Sequence, residues 1–271
     1  MSAPAATARP SRFSLAVRDS STMLRRNLLH ARRYPSLTLN LLLTPIVLLL
    51  LFVYVFGDVM SAGMGAGADR SAYIAYVVPG ILMMTIGGTV VGTAVSVSND
   101  MTEGIIARFR TMAIHRGSVL IGHVIGSVLQ AVTSVALVGA VAVAIGFRAT
   151  DATALEWLAA FGLMAMVALA LTWIAVGMGM VSPNAEAASN NALPLIVLPL
   201  ISSAFVPVDA MPGWFQPIAE YQPFTPAIET LRGLLLGTEI GHNGWLAVGW
   251  CVVLSVLGYF WSKATFNRDP K

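Results

Sequence analysis

Long apolar runs alternate with short polar ones along the chain, and six of the runs contain no Asp, Glu, Lys or Arg: residues 34–57, 71–99, 117–147, 157–185, 187–208 and 242–262. A helix crosses a bilayer core with about 20 apolar residues, and a charge at its centre costs about 3 kcal/mol on the insertion scale. The pattern therefore predicts six transmembrane helices, at about 36–57, 73–97, 118–147, 155–181, 188–206 and 244–262. Several runs exceed a single crossing, so those helices are expected to tilt or to project past the hydrocarbon.

Composition agrees: 56% of the 271 residues are hydrophobic and 11% charged, against roughly a quarter charged in soluble domains. Residues 1–10, rich in Ala, Pro and Ser, are expected to be disordered, and 11–271 to form one all-α transmembrane domain. With six spans, every basic residue except Arg70, Arg148 and Arg232 falls on one side. The positive-inside rule then makes both termini cytoplasmic; the short loop "SPNAEAASNN", expected on that side too, carries no Lys or Arg. The N-terminus shows no secretory h-region, so the first membrane helix is expected to stay. From Phe13, a helical stripe of Phe13, Val17, Leu24 and Leu28 is flanked by Arg18, Arg25, Arg26, Arg32 and Arg33. This reads as an amphipathic helix on the inner leaflet, although a basic tail that only sets topology would use the same arginines. Cys251 is the only cysteine, which excludes an intrachain disulfide and a cysteine metal cluster. The only lysines are Lys263 and Lys271, so no glycine-rich loop has the lysine that a phosphate-binding loop requires. The chain is not expected to hydrolyse ATP or to bind nucleic acid.

Between the second and third runs lies "DMTEGIIARFRTMAIHRG". Asn99 is a candidate N-cap, Asp100 and Glu103 fall in a first turn, and Arg108 and Arg110 come later, an order that complements a helix dipole. Met101, Ile105, Phe109 and Met112 form one apolar stripe at about 100° per residue, with Arg108 in its middle. An arginine centred there suits a protein groove that offers a carboxylate better than it suits lipid.

After the fifth run, "VPVDAMPGWFQPIAEYQPFTPAIETLRGLLLG" is interrupted by prolines. Thr225 and Pro226 read as the cap and first residue of a short helix. Trp214, Phe215, Tyr221 and Phe224 suit the outer interface, and the segment over about 211–236 reads as helices dipping part-way into the outer leaflet. Glu229 and Arg232, three apart, are placed to pair on one face.

These two blocks, "SNDMTEGIIARFRTMAIHRGSVLIGHV" and "LPLIVLPLISSAFVPVDAMPGWFQPIAEYQPFTPAIETLRGLLLG", with the basic start and the six-span spacing, resemble the permease subunits of ABC-2 type exporters, especially the daunorubicin-resistance-like branch. The resemblance implies a cytoplasmic coupling helix over 100–112, in which Asp100, Glu103, Ile105, Arg108, Phe109, Arg110 and Met112 meet a separate ATPase subunit. It also implies re-entrant helices before span six, a second permease copy or a related permease as partner, and a hydrophobic drug or lipid as cargo. ATP and Mg would belong to the ATPase, with no cofactor on this chain, and the site would be a bacterial cytoplasmic membrane. One departure stands out: the family usually has proline where this chain has Ala113, which leaves the end of the coupling helix open.

Other candidates are less specific. Gln130, Thr133 and Ser134 offer hydrogen bonds to a substrate or between helices. Met83 and Met84 suit an adaptable apolar pathway or plain packing. Gly88 and Gly92, and Gly122 and Gly126, have spacing for close helix approach. His123, near the start of span three, reads as an interfacial side chain or as a proton-handling group. Two other classes stay open at this point. A secondary transporter or channel would need deep charged groups that the six runs lack at their centres. An intramembrane hydrolase would need more than the proximity of Ser127 to His123.

Overall fold

The computed structural model describes residues 35–63, 69–103, 116–149 and 152–267, and every regular element among them is helical. In chain order these are α1 (Pro35–Leu50, continued by a π-turn over Leu51–Val55), α2 (Gly57–Gly63), α3 (Arg70–Thr102), α4 (Arg116–Ala144), α5 (Ala154–Val181), α6 (Ala185–Ala192), α7 (Pro194–Val197), α8 (Gln216–Tyr221), α9 (Phe224–Leu236) and α10 (Asn243–Phe266). Four helices are long and apolar enough to cross a membrane: α3, α4 over Leu120–Ala144, α5 and α10. Two shorter apolar stretches, Leu42–Val55 and Ala185–Ile201, match the remaining charge-free runs.

α3 is the spine of the bundle. Its 33 residues give a rod of about 50 Å at 1.5 Å per residue. Asp69 caps its start, accepting from Ser71 Oγ at 2.6 Å and from the Ala72 N–H at 2.9 Å; these two bonds hold the Asp69 carboxyl below the usual carboxylate range. α3 packs against α1, α4, α5, α6 and α9. Its most apolar window is 78% buried, against 17% for α10, so α3 is the inner helix and α10 the peripheral one. The expectation that Asn99 caps a new helix is corrected here. α3 runs unbroken through Asn99 to Thr102, because nothing before Glu103 breaks the helical pattern and the Glu103 N–H still bonds back to Asn99 O at 2.9 Å.

The fifth run, expected as one helix, is also corrected: it is broken into α6, α7 and a 3-10 turn over Leu198–Ile201. Pro194 and Pro199 each remove an N–H from the ladder. Ser202 then ends the turn, donating its hydroxyl to Pro199 O at 2.5 Å and accepting from the Ala204 N–H at 3.2 Å. The broken stretch lies directly on α3 at Gly87, where any Cβ would collide with Leu195 O. Thr225 does not cap α9 as expected. It lies inside the helix, donating to Ala219 O and accepting from the Ser203 N–H, while Gln222 Oε1 takes the Phe224 N–H at 3.3 Å.

The apolar core falls into two parts. The larger one fills the bundle from the Arg70 end inward, and a smaller one joins Val97, Leu120, Val124, Val176, Met180 and Phe266 at the Thr102 end. α3, α4 and α5 thus run side by side in alternating directions, and each end of the bundle carries its own polar cluster.

Candidate functional site

At the Thr102 end, α3 and α4 are joined by buried polar contacts. Asp100, in the last turn of α3, sits 3.0 Å from His123 Nε2 of α4 through its Oδ2, and each side chain is 8% exposed. Further along the same seam, Thr93 Oγ1 and Ser127 Oγ are directly bonded, and Thr172 Oγ1 of α5 reaches Ser127 Oγ at 3.4 Å. Asp100 lies seven residues from Thr93, and His123 four from Ser127. Both spacings return to the same helix face, so the two contacts form a single antiparallel zip. A buried donor or acceptor left unpaired costs about 1–3 kcal/mol. Sliding α3 against α4 would break both contacts together.

At the opposite end, Arg232 of α9 is buried. Its Nη1 donates to Glu229 Oε1 at 2.6 Å, and its Nη2 donates to Tyr76 O and Ser203 O, each at 3.1 Å. The guanidinium lies 3.9 Å from the centroid of the Tyr76 ring, within the range where a cation gains from an aromatic face. Tyr76 in turn donates its hydroxyl to Ser203 O at 2.9 Å. Arg232 therefore fastens α9 to α3 and to the end of the broken stretch. Two of its three acceptors are backbone carbonyls.

The residues singled out from sequence fall as follows. Glu103 is exposed just past α3; Ile105, Arg108, Phe109, Arg110 and Met112 lie outside the described residues. Asp100 is buried and faces His123. Trp214 and Phe215 meet edge to face at 5.3 Å, with Trp214 exposed. Tyr221 is exposed and its carbonyl accepts from Trp250 Nε1 at 3.0 Å. Phe224 is buried, and Glu229 and Arg232 pair as described. Met83, Met84 and Ser134 are buried, Gln130 is half-buried, and Thr133 is exposed with its hydroxyl on Leu129 O at 2.8 Å.

Three pairings escaped the sequence reading: Asp100 with His123, and Arg232 with Tyr76 and with Ser203. For Asp100 the signal was available: His123 is the first titratable side chain inside the next apolar run, and a buried acid needs a partner. Tyr76 and Ser203 act chiefly through their carbonyls, which no side chain announces.

Comparison with known proteins places these features in context. The ABC-2 type transporter family matches over residues 19–236. The chain is 30% identical over 233 residues to the daunorubicin resistance ABC transporter permease protein DrrB1 of Streptomyces coeruleorubidus, covering 85% of this chain and 79% of that one. It is 24% identical over 190 residues to the probable doxorubicin resistance ABC transporter permease protein DrrC of Mycobacterium tuberculosis, covering 65% and 67%. Nodulation protein J of Rhizobium meliloti is 28% identical over 230 residues, covering 80% and 82%.

Proposed function

The chain belongs to the ABC-2 type transporter family, and on that premise we propose that it is the transmembrane permease subunit of an ATP-driven exporter of hydrophobic or amphiphilic compounds. The cargo is a drug, an antibiotic or a lipid, taken from the cytoplasm or inner leaflet. The observation that carries this reading is the family match over residues 19–236, which takes in the polar segment after α3 and the proline-broken stretch as well as α1, α3, α4 and α5.

On this reading the four long helices and the stretches Leu42–Val55 and Ala185–Ile201 make six crossings of a bacterial cytoplasmic membrane. Both termini are cytoplasmic, and α8 and α9 re-enter from the outer face. Arg70, Arg148 and Arg232 then belong to the outer end, in keeping with the positive-inside rule. ATP and Mg bind a separate ATPase subunit, this chain supplies no catalytic residue, and a second copy or a related permease completes the transporter. The ATPase grips the segment between α3 and α4 as a coupling helix, with Arg108 in a carboxylate-bearing groove. A push there reaches α3 and α4 as one body, because the Asp100–His123 and Thr93–Ser127 contacts resist sliding. α3 then carries the motion to α9 through Tyr76 and Arg232.

The test is Arg108→Glu. Membrane insertion should be unchanged, the ATPase should no longer co-purify, and ATP-dependent uptake into inverted vesicles should fall at least tenfold. Unchanged efflux would sink the coupling assignment, and a fully active transporter purified without any ATPase would sink the exporter reading. A second reading, transport driven by a proton gradient, is favoured by one observation only, the buried Asp100–His123 pair; it requires efflux that persists when the ATPase is absent.

A further inference from the structure

α4 ends in a tight reversal. Gly146 adopts a φ of 118°, open to glycine and costly for other residues, and the Phe147 N–H bonds back to Ala142 O at 2.9 Å, a helix-ending pattern of the Schellman type. The turn folds Phe147 back into the bundle, where it is 3% exposed. Beside it the helices part to leave a cavity of about 160 Å³, bounded among others by Leu82 of α3, Gly139 of α4, Trp157 and Met164 of α5 and Leu235 of α9. No hydroxyl, amide or charged side chain lines it.

Size and setting narrow the occupant. An apolar cavity of about 150 Å³ stays dry and takes a benzene-sized guest, whereas sites for drug-sized molecules run to about 300–1,000 Å³. This cavity is therefore too small for a whole drug-sized molecule and large enough for the end of a hydrocarbon chain. Its lining includes Ala136, Ala140 and Val143, which are exposed on the outward face of α4, while Leu82, Phe147 and Leu235 are buried. It opens sideways, on that outward face of α4. Arg148 stands at that mouth, pinned by Nη1 donating to Val143 O at 2.6 Å and to Phe147 O at 3.0 Å. It is exposed and lies just past the end of α4, the level at which headgroups meet a membrane helix.

We propose that this cavity is a seat for one acyl chain of a membrane phospholipid, with the phosphate at Arg148. The bound chain fills the gap between α3, α4, α5 and α9. The proposal needs only a membrane-embedded bundle and does not depend on which compound is exported, or on whether export is driven by ATP.

The experiment uses the full chain in phosphatidylglycerol vesicles doped with phosphatidylglycerol that carries a diazirine at the end of one acyl chain. After illumination, adducts are mapped by mass spectrometry. Labelling should fall on Leu82, Met164 and Leu235 at several times the level of equally buried residues elsewhere, such as Val90 and Ala175. Gly139→Leu should fill the cavity, since a Cβ there meets only Leu82 Cδ2 at 4.0 Å, and should cut this labelling several-fold while leaving exposed Leu137 unchanged. Arg148→Gln should weaken labelling by the phospholipid and not by a diazirine alkane without a headgroup. Adducts confined to exposed residues such as Leu137 and Ile125 would overturn the seat. So would entry of the alkane alone, which leaves no role for the phosphate. The mapping on the unaltered protein decides the matter even if the filled variant fails to fold.

Discussion

Two polar side-chain pairs stand at opposite ends of α3 and are built in different ways. Asp100 and His123 come from different helices, 23 residues apart in sequence, and both are 8% exposed. Glu229 and Arg232 come from one turn of α9, and Glu229 keeps 31% of its side chain exposed. The first pair is itself the tie between two helices. In the second, the ion pair is a local partnership that lowers the arginine's cost of burial, and the tie to the rest of the bundle runs through the carbonyls of Tyr76 and Ser203. A polar pair in the interior thus has two uses: it can join helices directly, or it can support a side chain that joins them by other bonds.

That distinction ranks the expected effects. Arg232→Leu should be the most damaging change, because it removes the guanidinium shared by α9, α3 and the broken stretch. A loss of about 4–5 kcal/mol is expected, the upper range for breaking a buried charged contact, and it should appear as a large fall in the thermal unfolding midpoint in detergent. A fall no greater than that of a surface arginine variant would show that the carbonyl bonds carry little. Asp100→Ala should cost less, about 2–3 kcal/mol, from the unpaired histidine it leaves behind. Here the sharper measurement is a cycle with His123→Ala. Coupling of at least about 1 kcal/mol is expected between directly bonded partners, and strictly additive losses would mean that the two side chains do not act as a tie. Glu229→Gln should cost the least, under about 1 kcal/mol, because the carboxylate is partly solvated and its contribution is screened. If Glu229→Gln proved as harmful as Arg232→Leu, the ion pair rather than the carbonyl bonds would be holding α9, and the contrast between the two sites would collapse.

The two sites were also unequally legible in sequence. Glu229 and Arg232 could be paired on paper, since a spacing of three on a helix puts side chains on one face. Asp100 was misread as the first turn of a new helix because its local signals, an Asn before it and acids around it, are those of a helix start. Tertiary packing overrode them: α3 is stabilised along its length by contacts with α4, α5 and α6, and a helix held that way need not end where capping residues permit an end. The fifth run misled for the opposite reason. Its prolines were visible, but a charge-free run of that length also reads as one unbroken helix, and only its packing against Gly87 shows the broken backbone lying directly on α3.

The sequence by itself determined that the chain is built of apolar membrane helices and which family it joins. Those properties are one-dimensional: the cost of a charge in hydrocarbon acts on each run separately, and family motifs are read in order along the chain. Only the tertiary structure decided that Asp100 meets His123, that Arg232 is held by Tyr76 and Ser203, and that α3, α4, α5 and α9 leave a cavity of about 160 Å³ beside Phe147. Such contacts depend on the rotation and offset of each helix against its neighbours. They also depend on backbone carbonyls, which are alike in every residue and so leave no mark in the sequence.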